Sequence, residues 1–390
     1  MTTSKSDPSR KDITSNANLI VVKIGTRVLT RADGLLDTVR IESLGKQVDS
    51  LVASGKKVVL VSSGAVGAGM GRIGLDKRPK ELGHLQAIAA VGQSSLIEAY
   101  ERVFRAQGRH AAQVLLVADD FKNRSRYLNI RNTLRSLLHY NAIPIINEND
   151  TVSVEELRTS FGDNDHLAAL VTTLLGASLL VLLSDVDGLY STHPDEQNAE
   201  LIQTVRTIDE SIESLANDHS SSLSKGGMTS KIAAARIVNE SGGHCVIASG
   251  RDDSVLPAIL RGENKGTFFF GRTTALPARK RWLGWSAHVR GSVEVDSGAF
   301  HAVIDTGSSL LAAGIQGVTG TFSAGDLVDL KDEKGDVFAR GLVNYSSADL
   351  QRIHGLKTDR IAAVLGYCHY DEVIHRDNLA VIRRDTLMEP

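Results

Sequence analysis

The chain has 390 residues, enough for two or three domains with a sizeable core. Hydrophobic residues make up 42% and charged residues 23%, which excludes a disordered or fibrous chain. The formal net charge is -2, so nothing global points to nucleic acid or a membrane. With only Cys245 and Cys368, a disulfide framework or a cysteine-rich zinc site is excluded, and a reducing cytoplasm is the expected home.

Residues 1–18 are polar, lack the apolar stretch of a secretory signal and read as a disordered tail. Leu19 to Ile24 is a β-branched run ending at Gly25, a buried strand by type. Val39, Ile41, Leu44, Val48, Leu51 and Val52 recur at helical spacing. The pattern then gives strands at Lys57 to Val61, Val114 to Val117, Ile143 to Ile146, Leu179 to Leu183, Cys245 to Ala248 and Thr267 to Phe270. Helices are expected over Leu85 to Phe104, Leu128 to His139, Asp165 to Leu175, Lys231 to Asn239 and Ser254 to Leu260. Strands that alternate with helices, and that are continuously apolar, predict a parallel sheet covered on both faces: an α/β fold over residues 19–271.

The character changes near residue 270. Residues 272–290 contain Pro and Arg and read as a linker. Residues 291–380 show short strand-like runs punctuated by glycine, with one helix expected at Ser347 to Ile353, and predict a small mostly-β barrel. Residues 381–390 read as a tail. No apolar run approaches the roughly 20 residues of a spanning helix.

Ligands of open α/β sheets bind beyond the carboxyl ends of strands, and five such ends carry unusual residues. Lys23 ends the first strand, just before Gly25. Ser62 to Gly71 is a run of small residues suited to exposing backbone N–H groups to an anion. It overlaps Gly69-Met-Gly-Arg-Ile-Gly74, a G-x-G-x-x-G match that starts too far past its strand for a nicotinamide site. No P-loop motif occurs. Ile146-Asn-Glu-Asn-Asp150 and Phe161-Gly-Asp-Asn-Asp165 flank a polar loop, and offer acceptors for an ammonium and donors for a carboxylate. Ser184-Asp-Val-Asp-Gly-Leu-Tyr190 follows a very apolar strand. Lys225-Gly-Gly-Met-Thr-Ser-Lys231 precedes a helix and suits polyphosphate. Taken together these fit phosphoryl transfer from ATP. His369 and His375 beside Cys368 match no standard metal spacing.

The stretches VVKIGT, VSSGAVGAG, INEND, FGDND, SDVDGLY and KGGMTSK, in this order across about residues 19–270, resemble the amino acid kinase family. INEND followed by GDND and KGGM resembles its glutamate-phosphorylating branch, and the C-terminal part resembles a PUA domain. The resemblance implies an ATP-dependent, Mg²⁺-assisted transfer to the γ-carboxylate of L-glutamate, the first step of proline biosynthesis. It implies that Lys23 and Lys231 neutralise the phosphoryl group and that Asp165 orients them. Ser63, Asp150 and Asn164 would hold glutamate. Ser184, Asp185, Lys225, Gly226, Gly227, Met228, Thr229, Ser230 and Lys231 would contact ATP. The family often has Thr where Ser184 and Lys225 stand. It further implies proline as a feedback inhibitor acting near residues 151–160, a homodimer or tetramer, and a glutamyl phosphate reductase as the next enzyme. PUA modules often bind RNA, but residues 291–390 hold 9 Lys and Arg against 15 Asp and Glu, which argues against RNA as the main ligand. Sister kinases acting on acetylglutamate, aspartate, carbamate or a nucleotide are the nearest alternatives.

Overall fold

The computed structural model describes residues 9–122, 124–152, 164–194, 196, 198–218, 227–272 and 289–382. The chain divides into two compact units. The first comprises Met1–Asp120 and Arg126–Ala275; the second comprises Leu276–Pro390, with the short segment Phe121–Ser125 grouped with it.

The first unit is built on an eight-stranded sheet. Its strands are β1 (Leu19–Ile24), β2 (Lys57–Ser62), β3 (His110–Leu116), β4 (Ala142–Glu148), β5 (Leu179–Ser184), β6 (Thr204–Val205), β7 (His244–Ser249) and β8 (Thr267–Phe269). Their order is β3-β4-β2-β1-β5-β7-β8-β6. All neighbours run parallel except β7 and β8, where Ile247 pairs with Thr267 antiparallel. Every residue of β5 is buried, as are the last five of β1 and of β2, so the apolar runs reflect a sheet covered on both faces.

The helices of this unit are α1 (Arg10–Asn16), α2 (Thr26–Leu29), α3 (Thr38–Ala53), α4 (Ala65–Ile73), α5 (Leu82–Arg105), α6 (Ala118–Lys122), α7 (Arg124–His139), α8 (Asn164–Leu175), α9 (Glu210–Asp218), α10 (Gly227–Glu240) and α11 (Val255–Leu260). Ile41, Leu44, Val48 and Leu51 of α3 are buried, the stripe that the helical spacing anticipated. Connections from β1 lead to β2 on one side, whereas β5 leads to β7 on the other. The topological switch therefore falls between β1 and β5, and the crevice beyond their carboxyl ends is where such a sheet takes a ligand.

Two expectations for this unit need correction. Residues 10–16 of the supposed disordered tail form α1, started by a capping box in which Ser9 and Asp12 satisfy one another's backbone N–H groups. Arg10 of that helix lies over the Phe268 ring, 5.4 Å from its centroid. The small-residue stretch after β2 is helical from Ala65 and forms α4, entered through Gly64 at φ +101°. Local propensity hides this helix because three of its first seven residues are glycine; packing against α5 overrides that cost. A Cβ on Gly69 would stand 1.9 Å from the Ile88 carbonyl oxygen, and one on Gly92 of α5 would stand 1.8 Å from that of Ala65. The two helices approach backbone to backbone, and only glycine permits it.

The second unit carries β9 (Val289–Val295), β10 (Ile315–Gly320), β11 (Leu327–Lys331), β12 (Val337–Leu342) and β13 (Leu379–Val381), in the order β10-β9-β11-β12-β13. Among the described residues its helices are α12 (Ser297–Asp305), α13 (Ser347–Ile353) and α14 (Thr358–Leu365), where the sequence led to expect only the one at Ser347 to Ile353. Val293, Leu330, Phe338, Tyr345, Leu350 and Ile361 share its separate core.

Candidate active site

Lys23 stands near the end of β1, at the switch point, with only 2% of its side chain exposed. Its Nζ lies 2.6 Å from Oδ1 of Asp165, which is fully buried in the first turn of α8. Oδ2 of the same carboxylate lies 3.2 Å from Nζ of Lys231 on α10 and accepts a hydrogen bond from Ser230 at 3.0 Å. The Lys231 ammonium also donates to the Gly227 carbonyl at 2.8 Å, one turn earlier. Three elements distant in sequence thus place two cations on one carboxylate. Burying charges costs several kcal/mol per ion unless partners offset it. Here two ammonium groups share one anion, an excess of one positive charge among these three side chains, poised for an anionic ligand.

Ser63, Asn164 and the end of β4 form a second cluster. The Asn164 amide nitrogen donates to Ser63 Oγ at 2.8 Å, to Asn147 Oδ1 at 2.9 Å and to the Ser62 carbonyl at 3.3 Å. That fixes its orientation and aims its Oδ1 elsewhere. Among the described residues this buried oxygen has no hydrogen-bond partner. An unsatisfied buried acceptor costs about 1–3 kcal/mol, and a ligand N–H would relieve that cost. Asp150 is buried and accepts from Gln93 of α5 at 3.4 Å; Gln93 in turn accepts from Gln113 of β3 at 3.3 Å. Sequence reasoning missed Gln93 and Gln113, which lie inside elements where no strand-end signal exists. Asn147 was legible within INEND but had no role attached.

Ser184 ends β5 and Asp185 follows it. The Ser184 hydroxyl donates to Asp185 Oδ1 at 3.1 Å, and Arg27 Nη1 lies 3.1 Å from Asp185 Oδ2. Burial pushes the Asp185 carboxyl up, but hydrogen bonds from Arg27 and Ser184 and the Arg27 charge outweigh it and hold the group below its ordinary range. Arg27 is a further residue that the sequence did not single out. Gly227, Met228, Thr229, Ser230 and Lys231 open α10, as an anion-binding helix start would. Lys225, Gly226 and most of the loop at 151–160, Glu155 and Glu156 included, lie outside the described residues. The G-x-G-x-x-G match falls within α4 and ends at its C-cap, Gly74, so it cannot open a helix beneath a pyrophosphate. Among the described residues no group of three or more His, Cys, Asp and Glu is arranged to hold a metal, and no helix is long and apolar enough to cross a membrane.

Residues 18–249 match the model of the amino acid kinase family, and residues 291–365 match that of the PUA domain. The chain belongs to the amino acid kinase family. It is 45% identical over 372 residues to the glutamate 5-kinase of Rhodopirellula baltica, covering 95% of this chain and 96% of that one. It is 46% identical to the glutamate 5-kinase of Caldanaerobacter subterraneus, over 94% of this chain and 98% of the relative. That of Myxococcus xanthus is 46% identical, over 94% of this chain and 97% of its own length.

Proposed function

We propose that this chain transfers the γ-phosphoryl group of ATP to the γ-carboxylate of L-glutamate, giving γ-glutamyl phosphate, the first step of proline biosynthesis from glutamate. The observation that carries the reading is the buried Lys23–Asp165–Lys231 bridge beside the Ser63–Asn164 cluster. The likeness to glutamate 5-kinases over nearly the whole chain selects the acceptor.

A glutamate side chain has a pKa of about 4.3 and is already an anion at neutral pH, so the attacking oxygen needs no general base. What opposes reaction is repulsion between that anion and the triphosphate. Lys23 and Lys231 offset it and stabilise charge that develops on the transferring group. Asp165 holds both ammonium groups in place. The amino acid is held by Ser63, by Asn164, whose unpartnered Oδ1 suits an ammonium N–H, and by Asp150 facing the same charge. The nucleotide is contacted by Ser184, Asp185 and residues 225–231. Both Asp165 oxygens face ammonium groups, so Mg²⁺ would be held mainly by phosphate oxygens and water, where it supplies further charge neutralisation. The acyl phosphate product hydrolyses in water, which accounts for a buried site.

Proline carries the same ammonium and α-carboxylate without the γ-carboxylate, and on this reading inhibits in competition with glutamate. A homo-oligomer and a following reductase that consumes the acyl phosphate belong to the same proposal, as does a cytoplasmic setting. ATP-dependent formation of γ-glutamyl hydroxamate from glutamate, and not of the corresponding products from aspartate or acetylglutamate, is the expected result. Turnover of acetylglutamate in preference to glutamate would overturn the reading.

A further inference from the structure

Behind the Ser63–Asn164 cluster lies a pair of hydroxyls that phosphoryl transfer itself does not use. Ser62 ends β2, Tyr100 lies near the end of α5, and both are fully buried. Their side-chain oxygens stand 2.9 Å apart. Tyr100 stacks on Phe104 with 6.2 Å between ring centroids, inside the hydrophobic cluster that also holds residues of β1, β2 and β5. Phenylalanine would fill that core equally well, and a buried hydroxyl costs free energy unless it is hydrogen-bonded. Packing alone therefore does not account for the hydroxyl.

Ser62 connects it to the site. The Ser62 hydroxyl has one proton and donates it to the Ser63 carbonyl at 3.3 Å. Its oxygen is then the acceptor for Tyr100, and burial, which pushes the phenol's ionisation up, keeps the tyrosine proton in place to be donated. The donor chain runs from Tyr100 to Ser62 to the Ser63 carbonyl. The Ser63 N–H donates to the Ile24 carbonyl at a long 3.4 Å. Immediately beyond, Gly64 sits at φ +101°, where the freedom of glycine lets the chain pivot. Ser63 is thus held by hydrogen bonds rather than by a stiff backbone. The same dipeptide orients Asn164, whose Nδ2 donates to the Ser62 carbonyl at 3.3 Å and to Ser63 Oγ at 2.8 Å. A shift of residues 62 and 63 would carry the Asn164 amide along, and with it the unpartnered Oδ1.

We propose that Tyr100 is a positioning residue for the amino-acid acceptor: through Ser62 it sets the orientation of Ser63 and Asn164, and so the affinity for glutamate, without touching either substrate. This rests on the glutamate reading above. The chain of bonds ends on Ser63 and Asn164 rather than on the Lys23–Asp165–Lys231 bridge, so its loss weakens glutamate binding and leaves the phosphoryl-transfer groups in place.

Tyr100→Phe removes the hydroxyl and keeps the ring. In the full chain, KM for glutamate and the calorimetric Kd for glutamate are expected to rise roughly fivefold, the scale of one lost hydrogen bond, with kcat and the KM for ATP within about twofold of wild type. Ser62→Ala breaks the chain at its middle link and gives a similar rise. The Tyr100→Phe/Ser62→Ala double variant is no worse than Ser62→Ala, because the two residues act along one path. Phe104→Leu takes packing from the same core without removing a hydroxyl, so it lowers the melting temperature and leaves the KM for glutamate alone. An unmoved glutamate KM in Tyr100→Phe overturns the proposal, as do additive effects in the double variant. An equal rise in Phe104→Leu overturns it too, by making Tyr100 a packing residue only. Should Tyr100→Phe fail to fold by circular dichroism, Ser62→Ala decides alone, and an unmoved KM there is fatal. Wild-type turnover separates the two readings. Without it the glutamate reading fails and takes this proposal with it; turnover with an unmoved KM in the variants removes this proposal alone.

Discussion

Asp165 is the residue on which the catalytic proposal turns, because its carboxylate is shared by two buried ammonium groups. If Lys23 and Lys231 act on charge that develops in the transition state, Lys23→Ala and Lys231→Ala each lower kcat by roughly 10²–10³-fold, the range of a lost electrostatic stabiliser. KM for glutamate should move much less. Steady-state kinetics at saturating ATP checks both, and near-wild-type kcat in either variant would remove that lysine from the mechanism. Sequence position alone made both lysines legible, one at a strand end and one at a helix start. It could not reveal that Ser230 joins Lys231 on Oδ2 of Asp165 while Lys23 takes Oδ1, since the Ser230 contact spans 65 residues of chain.

At the scale of elements, the contact between α4 and α5 supports the loop that carries Ser63. Gly92→Ala would place a Cβ 1.8 Å from the Ala65 carbonyl oxygen and 2.5 Å from the Gly69 nitrogen, both backbone atoms that cannot swing aside. We expect a loss of about 3 kcal/mol or more, at the upper end of overpacking, measured by urea unfolding; a loss under about 1 kcal/mol would mean that the helices can separate cheaply. The β7–β8 edge carries a different sensitivity. His244 accepts from the Gly271 N–H at 3.0 Å and lies against Phe268 and Phe270. Burial there pushes its pKa down to about 4 from an ordinary 6.5. The unfolded chain therefore binds the proton first. The stabilisation is complete above about pH 6.5 and is lost progressively as pH falls toward 4, on the order of 3 kcal/mol in all. Melting curves at pH 7.5 and 4.5 should show a smaller acid loss in His244→Gln than in wild type; equal losses would assign the acid sensitivity elsewhere.

For the whole molecule, the division into two units has a functional corollary. Every described residue assigned here to ATP, glutamate or phosphoryl transfer lies in the first unit, and the two units have separate hydrophobic cores. A chain ending at Arg272 should fold and keep kcat within about threefold of the full-length value, since compact units with their own cores fold independently. Circular dichroism and the hydroxamate assay on the same preparation test this. A folded but inactive truncation would mean that the PUA unit completes the site.

The residue sequence by itself determined the α/β class, the succession of β1, β2, β3, β4, β5, β7 and β8, and the strand ends where chemistry could sit. Those are local signals: apolar runs of strand length, helical periodicity, and polar residues where a run stops. Tertiary structure decided what locality cannot carry. It made a helix of the glycine-rich stretch after β2, because close approach to α5 outweighs weak propensity. It turned β8 antiparallel at the sheet's far side, and gave α1 an anchor through Arg10 over Phe268. It also recruited Gln93, Gln113 and Arg27 into or beside the site. Such residues carry no signature of their own, because their role depends on which distant carboxylate or amide the fold sets within hydrogen-bond reach.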